Sequence, residues 1–552
     1  MTTNEATQPN PAASRGFFGH PWGLSTLFMT EMWERLSYYG MRAILLLYMT
    51  AELEKGGLGW DTRSAAAIYG LYTSSVWFLP LIGGWVADRF IGAKRATLIG
   101  GIIITLGHFL LAFPPIGFFY AGLICVSVGT GFLKSNISKM VGDLYDKDDD
   151  RRDAGFSIFY MGINTGSFLA PFVCGTLAVY NWHWGFAAAG VGMLLGVIQY
   201  VFGYSNLRGV GEPPMNAETE TQTGAGENSS YIIQMIVLTV LTVFAIAILS
   251  SFVGSVFPSL LGKDDRVFNI FELGINFSIG IKYILMPVVL VAGLVAVLLT
   301  GREDRLTGDD WKRIGIIFVL FAFATVFWMG FEQAGSSLNL FAEHITNRQI
   351  HSFLQPIVDW LQASFPAVLG NERITQYPTA WFQSVQPFFI IIFAPIFAWV
   401  WIWLGRRQPS EELKFVFGLF VTGLGFVVLA YASSLFGGGK VSMWWLIIVY
   451  LLHTWGELSI SPVGLSAMTK LAPGKMVSLM LGVWFLSISM GSYFGGLVAG
   501  NFEPNEATLV GLFSKVAAVL IVSGVILLAI IPFVKKLYKK PEPVVPREPA
   551  VS

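Results

Sequence analysis

Ionisable side chains interrupt stretches of this chain that are otherwise apolar enough to cross a bilayer. The densest set lies in TEMWERLSYYGMRAILLLY, where Glu31, Glu34, Arg35, Tyr38 and Arg42 are spaced 3, 1, 3 and 4 residues apart. On an α-helix these five positions share one arc of about 100°. A charge at the bilayer centre costs ~2.5–3.5 kcal/mol or more, so it persists where it is paired, wetted or useful. Two acids, two bases and a phenol on one face fit a water-lined cavity wall that holds protons and a charged solute. A self-neutralised stripe that only glues helices together is the plainer alternative, and four ionisable groups exceed what packing requires.

Other runs carry single charges: Lys134 in GTGFLKSNISKM, Glu332 in FWMGFEQAGSSLNLF, Glu457 in HTWGELSISPVG, and Lys515 near the C-terminus. A lone lysine in lipid needs an acid, and the Glu31/Glu34 face is the expected partner of Lys134. Glu332 shares a polar helical face with Trp328, Gln333, Ser336, Asn339 and Glu343; Glu457 lies four residues after His453 and four before Ser461. For Glu332 and Glu457 a protonated, hydrogen-bonded core acid is the alternative. Lys515 fits snorkelling to an interface. The N-terminal half thus supplies Arg42 and Lys134, a seat for a carboxylate, and the C-terminal half supplies Glu332 and Glu457, a seat for an ammonium. A zwitterion spanning the two, a short peptide rather than a single amino acid, satisfies both.

Long helices must position these groups. Of 552 residues, 54 % are hydrophobic and 13 % charged, about half the charge of an ordinary soluble domain. Fourteen apolar runs are long enough to span a membrane: 24–50, 64–88, 96–113, 117–140, 153–178, 184–203, 231–254, 281–301, 313–342, 380–404, 412–434, 442–470, 475–500 and 510–536. With the N-terminus inside, about 23 of the 35 basic residues face the cytoplasm, which predicts cytoplasmic termini. The spans group as a six-helix bundle (17–206), a linker with two extra transmembrane helices (207–312) and a second six-helix bundle (313–540), between tails at 1–16 and 541–552. That predicts an all-α polytopic membrane protein of the major facilitator kind, its solute site between the halves. The stretch IHSFLQPIVDWLQASF, in the outer segment 343–379, predicts a short amphipathic surface helix.

Lys+Arg and Asp+Glu are both 35, which argues against a nucleic-acid partner. Cys125 and Cys174 sit in apolar runs, and His20, His108, His183, His344, His351 and His453 are scattered singly, so no metal site is expected. No HExxH or GxSxG motif points to an enzyme, and the short tails offer no signalling domain.

The motifs resemble those of the POT family of proton-dependent oligopeptide transporters, within the major facilitator superfamily. They are Glu31-Met-Trp-Glu34-Arg35-Leu36-Ser37-Tyr38-Tyr39-Gly40, GGWVADRFIGAKR (83–95), FYMGINTGSF (159–168), FEQAGSS (331–337), GELSISPVGLS (456–466) and VWFLS (483–487). The resemblance runs from about 17 to 540. It implies a proton-coupled symporter that imports di- and tripeptides by alternating access, in the cell (inner) membrane, as a monomer and with no cofactor but the coupling protons. Glu31, Glu34, Arg35 and Lys134 would couple protons. Arg42 would pair across the halves with Glu332, a protonation site. Arg42 and Lys134 would bind the peptide carboxylate, Glu457 its amino terminus and Asn164 its backbone. Tyr38, Tyr39 and Ser461 would lie near the site, and Trp328 and Trp484 would wall side-chain pockets. Asp88 and Arg89 would steady helix ends. Leu36 replaces a family Phe, Trp77 a pocket Tyr and Gln386 an Asn, and Gly70 stands where animal members have a His. These departures bear on selectivity; a transporter of another small anion or amino-acid-like metabolite is the rival, and Glu457 would repel an anion.

Overall fold

The computed structural model describes residues 16–146, 149–212, 268–270, 273–275, 306–364, 366, 373–437, 439–473 and 476–537. The extra spans expected over 231–254 and 281–301, most of their linker, residues 1–15 of the N-terminal tail and the whole C-terminal tail lie outside the described residues.

Apolar runs become helices here because a bilayer offers the backbone no other hydrogen-bond partner. The first bundle comprises α1 (Trp22–Thr50), α2 (Thr62–Val86), α3 (Ala93–Leu111), α4 (Ile116–Asp143), α5 (Arg152–Tyr180) and α6 (Trp182–Phe202). Then follow α7 (Gly308–Phe331), α8 (Ser337–His344), α9 (Gln355–Ser364), α10 (Val385–Leu404), α11 (Glu411–Ser434), α12 (Met443–Leu471), α13 (Val477–Ala499) and α14 (Glu506–Leu537). Among the described residues, 11 helical stretches are long and apolar enough to cross a membrane. With α1, whose 29 residues carry four charges, they make two sets of six.

Polar residues mark the ends. Asp61 caps α2 by accepting from the Ser64 N–H at 3.0 Å, and Thr307 forms a capping box with Asp310 at the start of α7. Pro80, Pro171, Pro395, Pro462 and Pro532 lie inside helices. Beside Pro80 the neighbouring α4 ties on: Ser135 Oγ donates to the Pro80 carbonyl at 3.1 Å.

Within the first bundle α1 packs on α5 and α6, and α4 on α2 and α3; within the second, α11 packs on α12 and α14, and α7 on α13. The bundles meet along α2 with α13 and α5 with α10. Their ties cluster toward the end that carries Thr50. Ser74 and Ser489 share a hydroxyl bond of 2.8 Å, Trp381 Nε1 donates to Thr176 Oγ1 at 3.0 Å, and Ser384 Oγ donates to the Phe168 carbonyl at 2.8 Å. At Gly70 and Gly496 the backbones touch: a Cβ on Gly70 would lie 2.8 Å from Gly496 Cα, and one on Gly496 2.5 Å from Gly70 Cα. At the opposite end, which carries Asp88, the ion pairs among the described residues stay within a bundle: Lys139 to Asp88 at 2.5 Å and Lys470 to Glu411 at 2.5 Å.

The run expected as one helix over 313–342 is two. Helix α7 stops at Phe331, a 3₁₀ turn spans Glu332–Gly335, and α8 begins at Ser337. The polar run Gln333-Ala-Gly-Ser-Ser offers side-chain alternatives to helical backbone bonds. Gln333 Nε2 donates to the Gly495 carbonyl of α13 at 2.9 Å, and Ser337 Oγ donates to Gln333 Oε1 at 2.5 Å. The expected surface helix is α9; Phe353 just before it and its Ile357 and Trp360 are all exposed.

Candidate functional site

The break between α7 and α8 carries Glu332 to the first bundle. Arg42 Nη2 lies 2.5 Å from Glu332 Oε2, and both side chains are buried. Arg42 Nε donates to Tyr69 Oη at 2.7 Å, so α1, α2 and the 3₁₀ turn converge on one guanidinium. Gly335 makes room for this meeting, because a Cβ there would lie 2.8 Å from Arg42 Nε. Asn339 Nδ2 donates to the Ala43 carbonyl at 2.8 Å, adding a second tie between α8 and α1. Glu343, read from the sequence as part of the same polar face, turns instead to Arg348 at 3.1 Å and accepts from Thr379.

Two turns earlier on α1, Arg35 binds acids of its own helix. Its Nε lies 3.1 Å from Glu31 Oε1 and also donates to Glu34 Oε2. One oxygen of each acid, Glu31 Oε2 and Glu34 Oε1, and Arg35 Nη2 have no hydrogen-bond partner among the described residues. Between the two arginines stand Tyr38 and Tyr39 in an edge-to-face pair at 5.1 Å. The Arg35 and Arg42 guanidinium carbons lie 5.9 and 5.7 Å from the Tyr39 ring centre.

Lys134 departs from its expected pairing. No salt bridge joins it to Glu31 or Glu34; its ammonium sits over the Trp77 indole, 3.1 Å from the ring centre. The physical reason is local: Arg35 already holds one oxygen of each acid from the same helix, and the indole face offers the ammonium an alternative. Trp77 in turn stacks on Phe485 of α13 at 6.5 Å, so α4, α2 and α13 meet at this lysine.

On the second bundle, Gln386 Nε2 of α10 donates to Glu457 Oε2 of α12 at 3.2 Å. Gln386, Glu457, Ser461 and Lys134 are half-buried, in contrast to the buried Arg42 and Glu332. Asn164 points back to its own helix, its Nδ2 donating to the Tyr160 carbonyl at 2.9 Å. Trp328 and Trp484 are buried inside the second bundle. Trp328 packs against Phe327 and Phe331. Trp484 packs against Phe415 at 6.2 Å and fills the space beside Gly464. In this conformation both are core residues rather than walls of an open pocket. Asp88 and Arg89 lie in a wide turn at Ala87–Ile91; Asp88 pairs with Lys139 of α4, and Arg89 lies 5.3 Å from the Trp85 ring centre.

Sequence reading missed Tyr69. Its only signal was a phenol on the same helix as Trp77, and a tyrosine in an apolar run is usually packing. Among the described residues no group of three or more His, Cys, Asp or Glu is gathered to hold a metal.

The site as built is a set of buried and half-buried charges at the boundary of two bundles. A model of the POT family matches residues 94–223 and 360–514. An uncharacterised transporter, YclF, of Bacillus subtilis (strain 168) is 38 % identical over 95 % of this chain and 96 % of its own. A di-/tripeptide transporter of Lactococcus lactis subsp. cremoris is 36 % identical over 93 % of this chain and 96 % of its own. The crystal structure of a peptide transporter POT in complex with sulfate superposes with a TM-score of 0.76 at 37 % identity, covering 96 % of this chain and 98 % of that one.

Proposed function

The chain belongs to the POT family, and from that premise we propose that it is a proton-coupled symporter importing di- and tripeptides across the cell (inner) membrane, as a monomer with both termini in the cytoplasm. With that orientation the Thr50 end is the outer end. The fold is the major facilitator fold of its structural relatives, and the protein is a transporter rather than an enzyme.

The observation that carries the mechanism is the ion pair between Arg42 and Glu332, which ties the two bundles together at the closed outer end. Protonating Glu332 removes its charge and most of its hold on Arg42. A peptide carboxylate arriving from outside then competes for the guanidinium, with Lys134 as a second cation one helix away. Glu457, oriented by Gln386, receives the peptide ammonium from the facing bundle. Asn164 exchanges its intrahelical bond for the peptide backbone. Once Arg42 holds the carboxylate the outer halves close, and loss of the proton to the cytoplasm restores the pair and releases the peptide. Glu31, Glu34 and Arg35 hold the accompanying charge, their unpartnered atoms serving as acceptors and donor for protons and water. Coupling requires that peptide and proton bind differently to the two states.

The test is uptake of dialanine into liposomes holding the purified protein. Acidifying the outside should stimulate uptake, and dissipating the proton gradient and potential should abolish accumulation; uptake indifferent to both would remove the proton from the mechanism. Competition by a peptide library at two pH values, on wild type and Glu457→Ala, checks the clamp. The mutant should lose its preference for a free amino terminus, with affinity for dialanine falling by about 10- to 100-fold, the worth of one charged hydrogen bond. An unchanged preference would move the ammonium site elsewhere.

A further inference from the structure

Lys515 plays no part in the cycle above, yet it lies nine residues inside α14, about 13 Å from the helix start. It lines a cavity of 570 Å³ that also contains Arg63 at the start of α2, Met329 of α7, and Asn501 and Glu503 between α13 and α14. Neither Lys515 nor Arg63 has an ion-pair or hydrogen-bond partner among the described residues, and both are exposed. The acid in the cavity is occupied locally: Glu503 Oε2 accepts from Asn505 Nδ2 at 3.2 Å and from Thr508 Oγ1 at 3.4 Å. The charged lining is therefore two free cations against one engaged carboxylate, and it faces an anion.

The surface continuing from the cavity says which anion. Val519, Val522 and Ile526 follow Lys515 at steps of 4, 3 and 4 on one stripe of α14, and their exposures are 45, 54 and 49 %. A free phosphate has no use for an apolar track leading away from its cations. A phospholipid has: its headgroup sits between Arg63 and Lys515 while an acyl chain lies along the stripe. A headgroup drawn into the notch supplies the counter-charge that Lys515 lacks. We propose that the Arg63–Lys515 cavity binds the phosphate of an anionic phospholipid, of the phosphatidylglycerol class, from the leaflet at the Thr50 end. Arg63 belongs to the first bundle and Lys515 to the second. The lipid therefore bridges the bundles while this end is closed, and favours that state. None of this depends on the solute being a peptide.

Native mass spectrometry of the purified full chain tests it, with phosphatidylglycerol and phosphatidylcholine of identical acyl chains offered in equal amounts. The anionic lipid should be retained preferentially. Lys515→Gln and Arg63→Gln should each lower that retention at least about fivefold, and Lys515→Arg should keep it. The thermal unfolding midpoint of each variant, measured without added lipid, reports that it is folded. Equal retention of the two lipids, or undiminished retention in both glutamine variants, overturns the proposal. Displacement of the lipid by excess inorganic phosphate, with phosphate itself protecting against heat, also overturns it and assigns the cavity to a free anion.

Discussion

Arg35 and Arg42 stand seven residues apart on one helix, both buried and both bound to glutamate. The difference is where the glutamate comes from. Glu31 and Glu34 ride on α1 with Arg35, so no movement of one bundle against the other changes that cluster. Glu332 belongs to the opposite bundle, so any separation at the Thr50 end must break its pair with Arg42. In the proposed cycle identical chemistry thus serves as a charge store in one place and a latch in the other, and the division is made by chain connectivity. A buried pair that loses one partner leaves an uncompensated charge, so the proposed latch requires a proton or a substrate carboxylate before it opens.

The largest expected effect strikes the latch. Glu332→Gln should reduce proton-driven dialanine uptake by about 100-fold while peptide exchange without a gradient stays within about threefold, because the amide keeps a neutral bond to Arg42 but cannot carry a proton. Comparable loss in both assays would make Glu332 a structural residue and erase the contrast with Glu31 and Glu34.

A middle-sized effect probes Lys134, which belongs to neither pair. Trp77→Leu removes the ring beneath its ammonium, an interaction worth about 0.5–2 kcal/mol. Dialanine affinity should change by about 3- to 30-fold, and the pH profile of uptake should shift as Lys134 turns toward the free oxygens of Glu31 and Glu34. An unmoved pH profile would mean that the lysine and the Arg35 cluster are independent.

The smallest effect lies outside the membrane. Asp359 of α9 pairs with Arg373 at 2.7 Å, and hydrogen bonds from Arg373 and Gln355 hold its carboxyl below the usual carboxylate range. A carboxyl lowered on folding stabilises the fold above its unfolded value, and that contribution disappears as pH falls through its folded value. The tie should therefore be intact at every pH where transport is acid-stimulated and weaken only below about pH 4. Asp359→Asn should leave uptake within about twofold, and proteolysis of the 350–375 segment should begin at the same pH in mutant and wild type if the pair is inert.

Much of this was legible in the sequence, because charges inside apolar runs are too costly to be accidental. Arg42, Glu332 and Glu457 announced themselves in that way, and the apolar runs other than 313–342 gave the described membrane helices to within a few residues. What stayed hidden depended on contacts between helices. Nothing in GTGFLKSN distinguishes a lysine facing Glu34 from one lying on Trp77, since both neighbours come from other elements. The rotation that buries Trp484 against Gly464 is equally invisible in VWFLS. The break after Phe331 was written in EQAGSS, five small or polar residues around one acid, but an apolar run on each side hides it from any count of hydrophobicity.

The contact of Gly70 with Gly496 has an electrical consequence. Where two backbones meet without side chains between them there is no room for water at the point of contact. A dry seam insulates, so the proposed cycle places much of the membrane voltage across the layer that includes Arg42 and Glu332. In that cycle a proton reaching Glu332 from outside crosses most of the field in a short step, gaining up to ~2.3 kcal/mol per 100 mV. In electrical terms this end of the molecule is a capacitor with its one movable charge placed between the plates. Currents recorded from Glu332→Gln should accordingly lose their steepness with voltage, and currents as steep as those of the wild type would place the field elsewhere.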